Sequence, residues 1–187
     1  MSTELERPLR RDAARNRERL VAAARRAFAD HGPDVPLEEI AREAGVSRTT
    51  LYRNFDTREQ LAAEVYSDNL GRIEQRAAEL RGRSDGVVAL VDFVLDIQVS
   101  GNQGLARVMI PGSDLELAVA LGDRLQAALR PLLEAGRRAG VVRPEVDIAD
   151  IMLAFPMAAA AFSLGQEDTS RRARRLVHRA LFAGSAG

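Results

Sequence analysis

Along this chain apolar residues recur every three to four positions, and nowhere do apolar and polar residues alternate between turn signals. A helix brings positions i, i+3, i+4 and i+7 to one side, whereas a half-buried strand needs every second residue, so this spacing restricts the chain to helices. Leu20, Ala23, Ala24, Ala27 and Phe28 form one such stripe. Asp12 is placed to cap its helix, and Gly32 with Pro33 to end it. A second helix opens at Pro36 with Glu38 and Glu39 in its first turn, where acids suit the helix dipole, and stops at Gly45. A third covers about residues 47–54. Thr57, with Gln60 three positions on, reads as a capping box for a fourth helix that runs towards Arg81.

Residues 82–86 are a polar, Gly-containing break. Val87, Leu90, Val91, Val94 and Ile97 mark a fifth helix, and a short one is expected at residues 105–109. Asp114 caps the next, whose stripe is Leu117, Leu121, Leu125, Leu129, Leu132 and Leu133, and Gly140 ends it. Residues 146–164 and 170–182 form the last two. The pattern predicts an all-α fold of about nine helices, with no internal repeat. Three parts are expected: a flexible basic arm at 1–11, a first domain at 12–56 and a second at 57–187, with the fourth helix shared.

The chemistry available is narrow. The chain has 187 residues and no Cys, which removes disulfides, thiolate-bound metals and thiol catalysis. Its two His, His31 and His178, are far apart, so no metal site or other cofactor is expected. No nucleophile motif or phosphate-cradling glycine loop is present, and the carboxylate pairs Glu38–Glu39 and Asp147–Asp150 suit helix first turns, so an enzyme is not expected. The first residues are charged and lack an apolar core for a signal peptide. The longest near-apolar run, 151–164, is shorter than the roughly 20 residues of a bilayer span and contains Pro156. A soluble, cytoplasmic protein without a membrane partner is expected.

Zero net charge conceals a pattern. Residues 1–58 carry 12 Arg against 10 acids, residues 59–170 carry 10 Arg against 17 acids, and residues 171–187 carry five Arg and no acid. Eight of the Arg lie within residues 7–28, a cluster that suits a polyanion.

Residues 36–55 read as two short helices joined by a tight turn. Ile40 and Leu51 can pack the pair, Ala41 is small where the axes cross, Gly45 accepts a positive φ, Val46 fills the corner and Ser47 caps the second helix. That is a helix-turn-helix layout, whose second helix enters the major groove of double-stranded DNA. Ser47, Arg48, Thr49, Thr50, Tyr52, Arg53 and Asn54 offer hydrogen bonds to base edges and phosphates, and Arg58 opens the next helix near the same surface. The Ser47 hydroxyl and the free N–H groups of the helix start suit a phosphate. A helical protein-interaction module with a basic arm is the rival reading, and the Ala44-Gly45-Val46-Ser47 turn argues against it.

This segment resembles the DNA-binding signature of the TetR family of bacterial transcriptional regulators. The matching residues are Ile40-Ala41, Ala44-Gly45-Val46-Ser47, Leu51-Tyr52, Phe55, Arg58-Glu59 and Leu61. The resemblance implies a homodimeric, ligand-responsive repressor. Its first three helices would bind a palindromic operator, later helices would form an effector pocket for a small molecule, and the last two would pack against the partner's. Pro36 departs from a frequent Thr, Thr49 from Gly or Ala, and Asn54 from Tyr or His, so no relative's operator sequence carries over.

For the second domain the apolar spacing suggests residues but no motif. Phe93, Ile97, Met109, Met152, Phe155 and Phe162 are expected to line the pocket. Asp92, Asp96, Gln98, Asn102, Gln103 and Arg107 are candidate polar orienters. Ile151, Phe155, Ala159, Leu176, Val177, Ala180 and Leu181 are expected at the dimer interface. His178, among five Arg, is expected in the same contact.

Overall fold

The computed structural model describes residues 3–32, 34–99 and 115–184, with side chains from Asp12 onward in the first helix and from Val119 onward in the sixth. Every regular element among them is a helix: α1 (Thr3–His31), α2 (Leu37–Ala44), α3 (Arg48–Asn54), α4 (Arg58–Glu79), α5 (Gly86–Ile97), α6 (Leu115–Arg138), α7 (Ile148–Phe162) and α8 (Glu167–Leu181). The fold is all-α, and the described residues hold eight helices where about nine were expected. The short helix expected at 105–109 lies outside the described residues. A single antiparallel bridge, Val142 to Phe182, ties the α6–α7 loop to the end of α8.

Two boundaries differ from the periodicity. Helix α1 begins at Thr3, so Asp12 lies inside it and is not its cap. Glu4, Leu5, Glu6, Leu9, Arg10 and Arg11 are good helix formers and carry the helix past the apolar stripe that marks its packed part. Helix α8 begins at Glu167, with Glu167 and Asp168 in its first turn, where they pair with Arg171 and Arg172. The other starts follow local chemistry. Asp147 accepts from the Asp150 N–H at 3.0 Å while the Asp147 N–H donates back to the Asp150 carboxylate at 2.8 Å, a reciprocal cap for α7. Thr57 accepts from the Gln60 N–H, and Gln60 reaches back to the N–H of Asp56. Helices α6 and α7 continue through Pro131 and Pro156.

The described chain forms two compact units that divide within α4, after Tyr66. In the first, Leu20, Ala23, Ala24, Ala27 and Phe28 of α1 pack with Ile40, Ala41, Leu51, Phe55, Leu61 and Val65. In the second, the core is built from Val87, Leu90, Val91 and Leu95 of α5, Leu129, Leu132 and Leu133 of α6, and Ile151 and Phe155 of α7. Gly136 leaves α6 no room for a side chain at this point. A Cβ there would lie 2.7 Å from Val87 Cγ1 and 3.0 Å from Val142 Cγ2.

Candidate DNA-binding surface

Helices α2 and α3 meet through a turn whose geometry each residue explains. Gly45 has φ 64° and ψ 38°, the left-handed region that a residue with a Cβ avoids. That conformation lets the Gly45 N–H reach the Arg42 carbonyl at 3.1 Å and the Val46 N–H reach the Ala41 carbonyl at 3.0 Å, which satisfies the end of α2. Ser47 then accepts from the Thr50 N–H at 3.1 Å and caps α3.

Helix α3 has two unlike sides. Leu51 is fully buried and locks the helix onto the core of the first unit. Ser47, Arg48, Thr49, Tyr52 and Arg53 are exposed. They form one polar surface of hydroxyl, phenol and guanidinium groups, the donors and acceptors that base edges and phosphates require.

The remaining expected contacts lie deeper. Thr50 is half-buried and its hydroxyl shares a hydrogen bond with that of Ser47 at 2.9 Å. Asn54 is half-buried and its amide donates to the Thr50 carbonyl at 2.7 Å. Arg58 is half-buried and donates to the Val35 carbonyl, which fastens the start of α4 to the loop before α2.

Several members of the basic cluster also work inside the unit. Arg17 pairs with Glu64 at 2.8 Å, donates to the Asn54 carbonyl at 3.3 Å and lies 4.5 Å from the centre of the Phe55 ring. It thereby joins α1, the end of α3 and α4. Arg26 pairs with Glu43 at 2.6 Å, and Arg19 donates to the Gly45 carbonyl at 3.4 Å.

Glu38 joins this surface, which its place in the sequence does not suggest. Glu38 Oε1 accepts from Tyr52 Oη at 3.2 Å and lies 3.1 Å from Arg48 Nη2, and the Arg48 guanidinium lies 5.5 Å from the centre of the Tyr52 ring. The carboxyl is held below its ordinary value, first by the hydrogen bond it accepts from its own backbone N–H, then by the charge of Arg48 and the Tyr52 hydroxyl, with desolvation opposing. In the sequence Glu38 is only a first-turn acid. Its role depends on how α2 crosses α3.

Known proteins share this arrangement. Residues 20–65 match the family described as bacterial regulatory proteins of the TetR family, and residues 86–182 match the SbtR-like transcriptional regulator C-terminal domain. A TetR transcription regulatory protein from Mycobacterium vanbaalenii is 34% identical, with 94% of this chain and 100% of that one covered and a TM-score of 0.68. The chain belongs to the TetR family. A TetR transcriptional regulator from Streptomyces coelicolor is 30% identical, with 90% and 99% covered and a TM-score of 0.67. Escherichia coli NemR, in its reduced form, shares the fold at 16% identity and a TM-score of 0.63, covering 91% and 100%. No curated protein matches the chain. As a TetR-family member it is a DNA-binding transcriptional regulator, and the helix-turn-helix is its DNA-binding element.

The second unit sorts the residues expected at a TetR-family pocket and interface by burial. Phe93 is half-buried, with the Arg72 guanidinium 5.9 Å from its ring centre. It lines a shallow cavity of about 450 Å³ with Arg72, Gln75, Arg76 and Glu79. Ile97, Phe155 and Phe162 are buried in the unit, Met152 is half-buried, and Met109 lies outside the described residues. Asn69 is 5% exposed, and among the described residues its Nδ2 has no partner; the same holds for the buried Oε1 of Gln98.

The open face of α7 and α8 includes Leu176, Val177, Ala180 and Leu181 of the expected set and differs from it on α7. Ile151 and Phe155 are buried inside the second unit and do not line the apolar surface these helices leave open, whereas Leu181, 3% exposed, lies at its floor. That surface is a groove of about 580 Å³ lined by Leu153, Met157, Leu176, Val177, Ala180 and their neighbours. Leu153, Met157 and Leu176 are 60%, 64% and 64% exposed. Ala159 is half-buried. Asp92 and Asp96, expected as orienters, instead hold α8: Arg174 Nη1 pairs with Asp92 at 3.1 Å and Nη2 with Asp96, while His178 Nε2 lies 2.8 Å from Asp92. Among the described residues no cluster of His, Cys, Asp and Glu could hold a metal ion, and no helix is long and apolar enough to cross a membrane.

Proposed function

We propose that this regulator is a ligand-responsive repressor that binds a near-palindromic operator as a homodimer and is released by a small molecule. The observation that carries the reading is α3: a short helix fixed by Leu51 beneath and exposing Arg48, Thr49, Tyr52 and Arg53 above. Such a helix reads one half-site, and a two-fold dimer reads two half-sites about one helical turn, 34–36 Å, or a multiple of it apart. The basic run at residues 1–11 and Arg15 follow the phosphates. Arg58 and Asn54 support the surface from below.

Three exposed large apolar side chains on adjoining helices form a continuous patch, which in a protein in water calls for a partner. A second copy of this chain, two-fold related, covers that patch with the same one. The effector site lies in the second unit near Phe93, where Arg72 stands at the ring. That cavity is lined by Arg72, Gln75, Arg76 and Glu79 around the one aromatic ring, which suits a ligand with polar or acidic groups. The effector releases DNA only through unequal affinity for the DNA-bound and free states.

Sedimentation and gel shift test this together. The wild type should sediment as a dimer at micromolar concentration, and Leu176→Arg or Met157→Arg as a monomer with at least about tenfold weaker operator binding. Removing residues 1–11 should flatten the dependence of log affinity on log salt by about 0.9 for each phosphate that the arm neutralises. A wild type that sediments as a monomer with full operator affinity overturns the dimer reading.

A further inference from the structure

Arg48 opens the recognition helix, and a free Arg there would bind any phosphate that came near. Glu38 alters that. One carboxylate oxygen, Oε1, receives both Arg48 Nη2 at 3.1 Å and Tyr52 Oη at 3.2 Å. The guanidinium is also set against the Tyr52 ring, 5.5 Å from its centre. Three side chains from two helices form one exposed cluster in which the acid sits on the same surface as the reading residues. The neighbouring acid, Glu39, has a separate partner in Arg42 at 2.9 Å.

A planar guanidinium has five N–H groups, so one can remain on Glu38 while others face outward. With one edge fixed, its free fork has a set direction. The adjoining negative charge repels a phosphate, which carries a full charge, far more than it repels a neutral base edge. The neutral edge that takes such a fork with two acceptors is that of guanine, through O6 and N7.

We propose that Glu38 is a specificity-determining residue of this regulator: it aims Arg48, braced on Tyr52, at a guanine edge and disfavours its capture by backbone phosphate. The proposal rests on α3 being the base-reading helix. Glu38 therefore lowers affinity for DNA in general and raises the preference for the operator.

The test uses the full-length protein and two duplexes: one enriched by the wild type from a randomised pool, and a scrambled version of it. Glu38→Gln should bind the scrambled duplex more tightly. Its salt slope on that duplex should steepen by about 0.9, the increment for one more neutralised phosphate. The ratio of enriched to scrambled affinity should fall about tenfold, the scale of one bidentate base contact. In an Arg48→Gln background, Glu38→Gln should have no further effect on that ratio. Replacing guanines of the enriched duplex one at a time with 7-deazaguanine should reveal one position that weakens the wild type and not Arg48→Gln. The thermal melting of Glu38→Gln should fall only slightly below that of the wild type, as expected for an exposed first-turn acid. Equal effects of Glu38→Gln on both duplexes, or the same loss of preference with Arg48 absent, overturn the role of Glu38 while leaving α3 as the reader. A wild type that enriches no sequence overturns the base-reading role of α3, and the assignment of Glu38 with it.

Discussion

The two units of this chain are specified in different ways. In the first, each decisive position has a local chemical reason: a left-handed Gly45, a capping Ser47, a Leu51 with polar residues on both sides. In the second, α7 carries apolar residues almost all round, with Asp150 the one charged residue in its span. A helix with one apolar side has one way to face its core. A helix apolar on every side has several, and its orientation is decided by neighbours far away in sequence. The head is therefore readable residue by residue, and the body only as a set of helices.

Phe155 and Met157 sharpen this comparison most. They are two residues apart on α7, one 3% and the other 64% exposed. Phe155→Ala should destabilise the protein by about 3–5 kcal/mol in chemical denaturation. Met157→Ala should change protomer stability by less than about 0.5 kcal/mol and act instead on self-association in sedimentation. A larger loss of stability from Met157→Ala than from Phe155→Ala would show that α7 is turned the other way.

The turn of the head comes next. Gly45→Ala should cost about 1–2 kcal/mol in thermal unfolding, because the left-handed backbone penalises a Cβ. The added methyl group would also fall 2.6 Å from Arg19 Nη2, although that side-chain end can move. Operator affinity should fall with stability, since the turn sets the angle between α2 and α3.

The caps compare the units on equal terms. Ser47→Ala in the head and Asp147→Ala in the body each remove an oxygen from an N–H at a helix start, and each should cost about 1 kcal/mol. Only the first should also change DNA binding in a gel shift.

The smallest effect is electrostatic. The Glu74 carboxyl is held below its ordinary value, first by the hydrogen bond from Arg124, then by the charge of Arg124, with desolvation opposing. A carboxyl lowered by folding stabilises the native state above its unfolded value, near about 4.3, and loses that contribution as pH falls through the lowered folded value. Arg124→Gln should therefore melt slightly below the wild type at neutral pH, by less than about 1 kcal/mol for so exposed a pair. The difference should close on strong acidification.

The legibility of the sequence follows the same division. Periodicity and cap residues place α2, α3 and the start of α4, since those signals lie within four residues of the element they define, whereas Asp147 reads as a first-turn acid and is the cap of α7. The exposed residues of α3 are legible because Leu51 fixes which side is inward. Glu38 is not, because an acid in a first turn has a sufficient local explanation and its partners are 10 and 14 residues away. Asp92 and Asp96 stand out as polar groups on an apolar helix, but their partners lie about 80 residues on, beyond any spacing rule. Ile151 and Leu153 cannot be told apart as inner and outer, since both are large aliphatics.

The grip of Arg174 on two aspartates has a mechanical consequence. Asp92 and Asp96 stand one turn apart on α5, and the guanidinium from α8 reaches both. A slide of α8 by a fraction of a turn would pull it away from one carboxylate without bringing it to another. A slide of a full turn, about 5.4 Å, would leave only one of the two carboxylates in reach. His178, four residues after Arg174 and also on Asp92, is a second tooth on the same rack. Because water can solvate a released Asp96, the grip sets the resting register of α8 on α5 at little cost to a small slide.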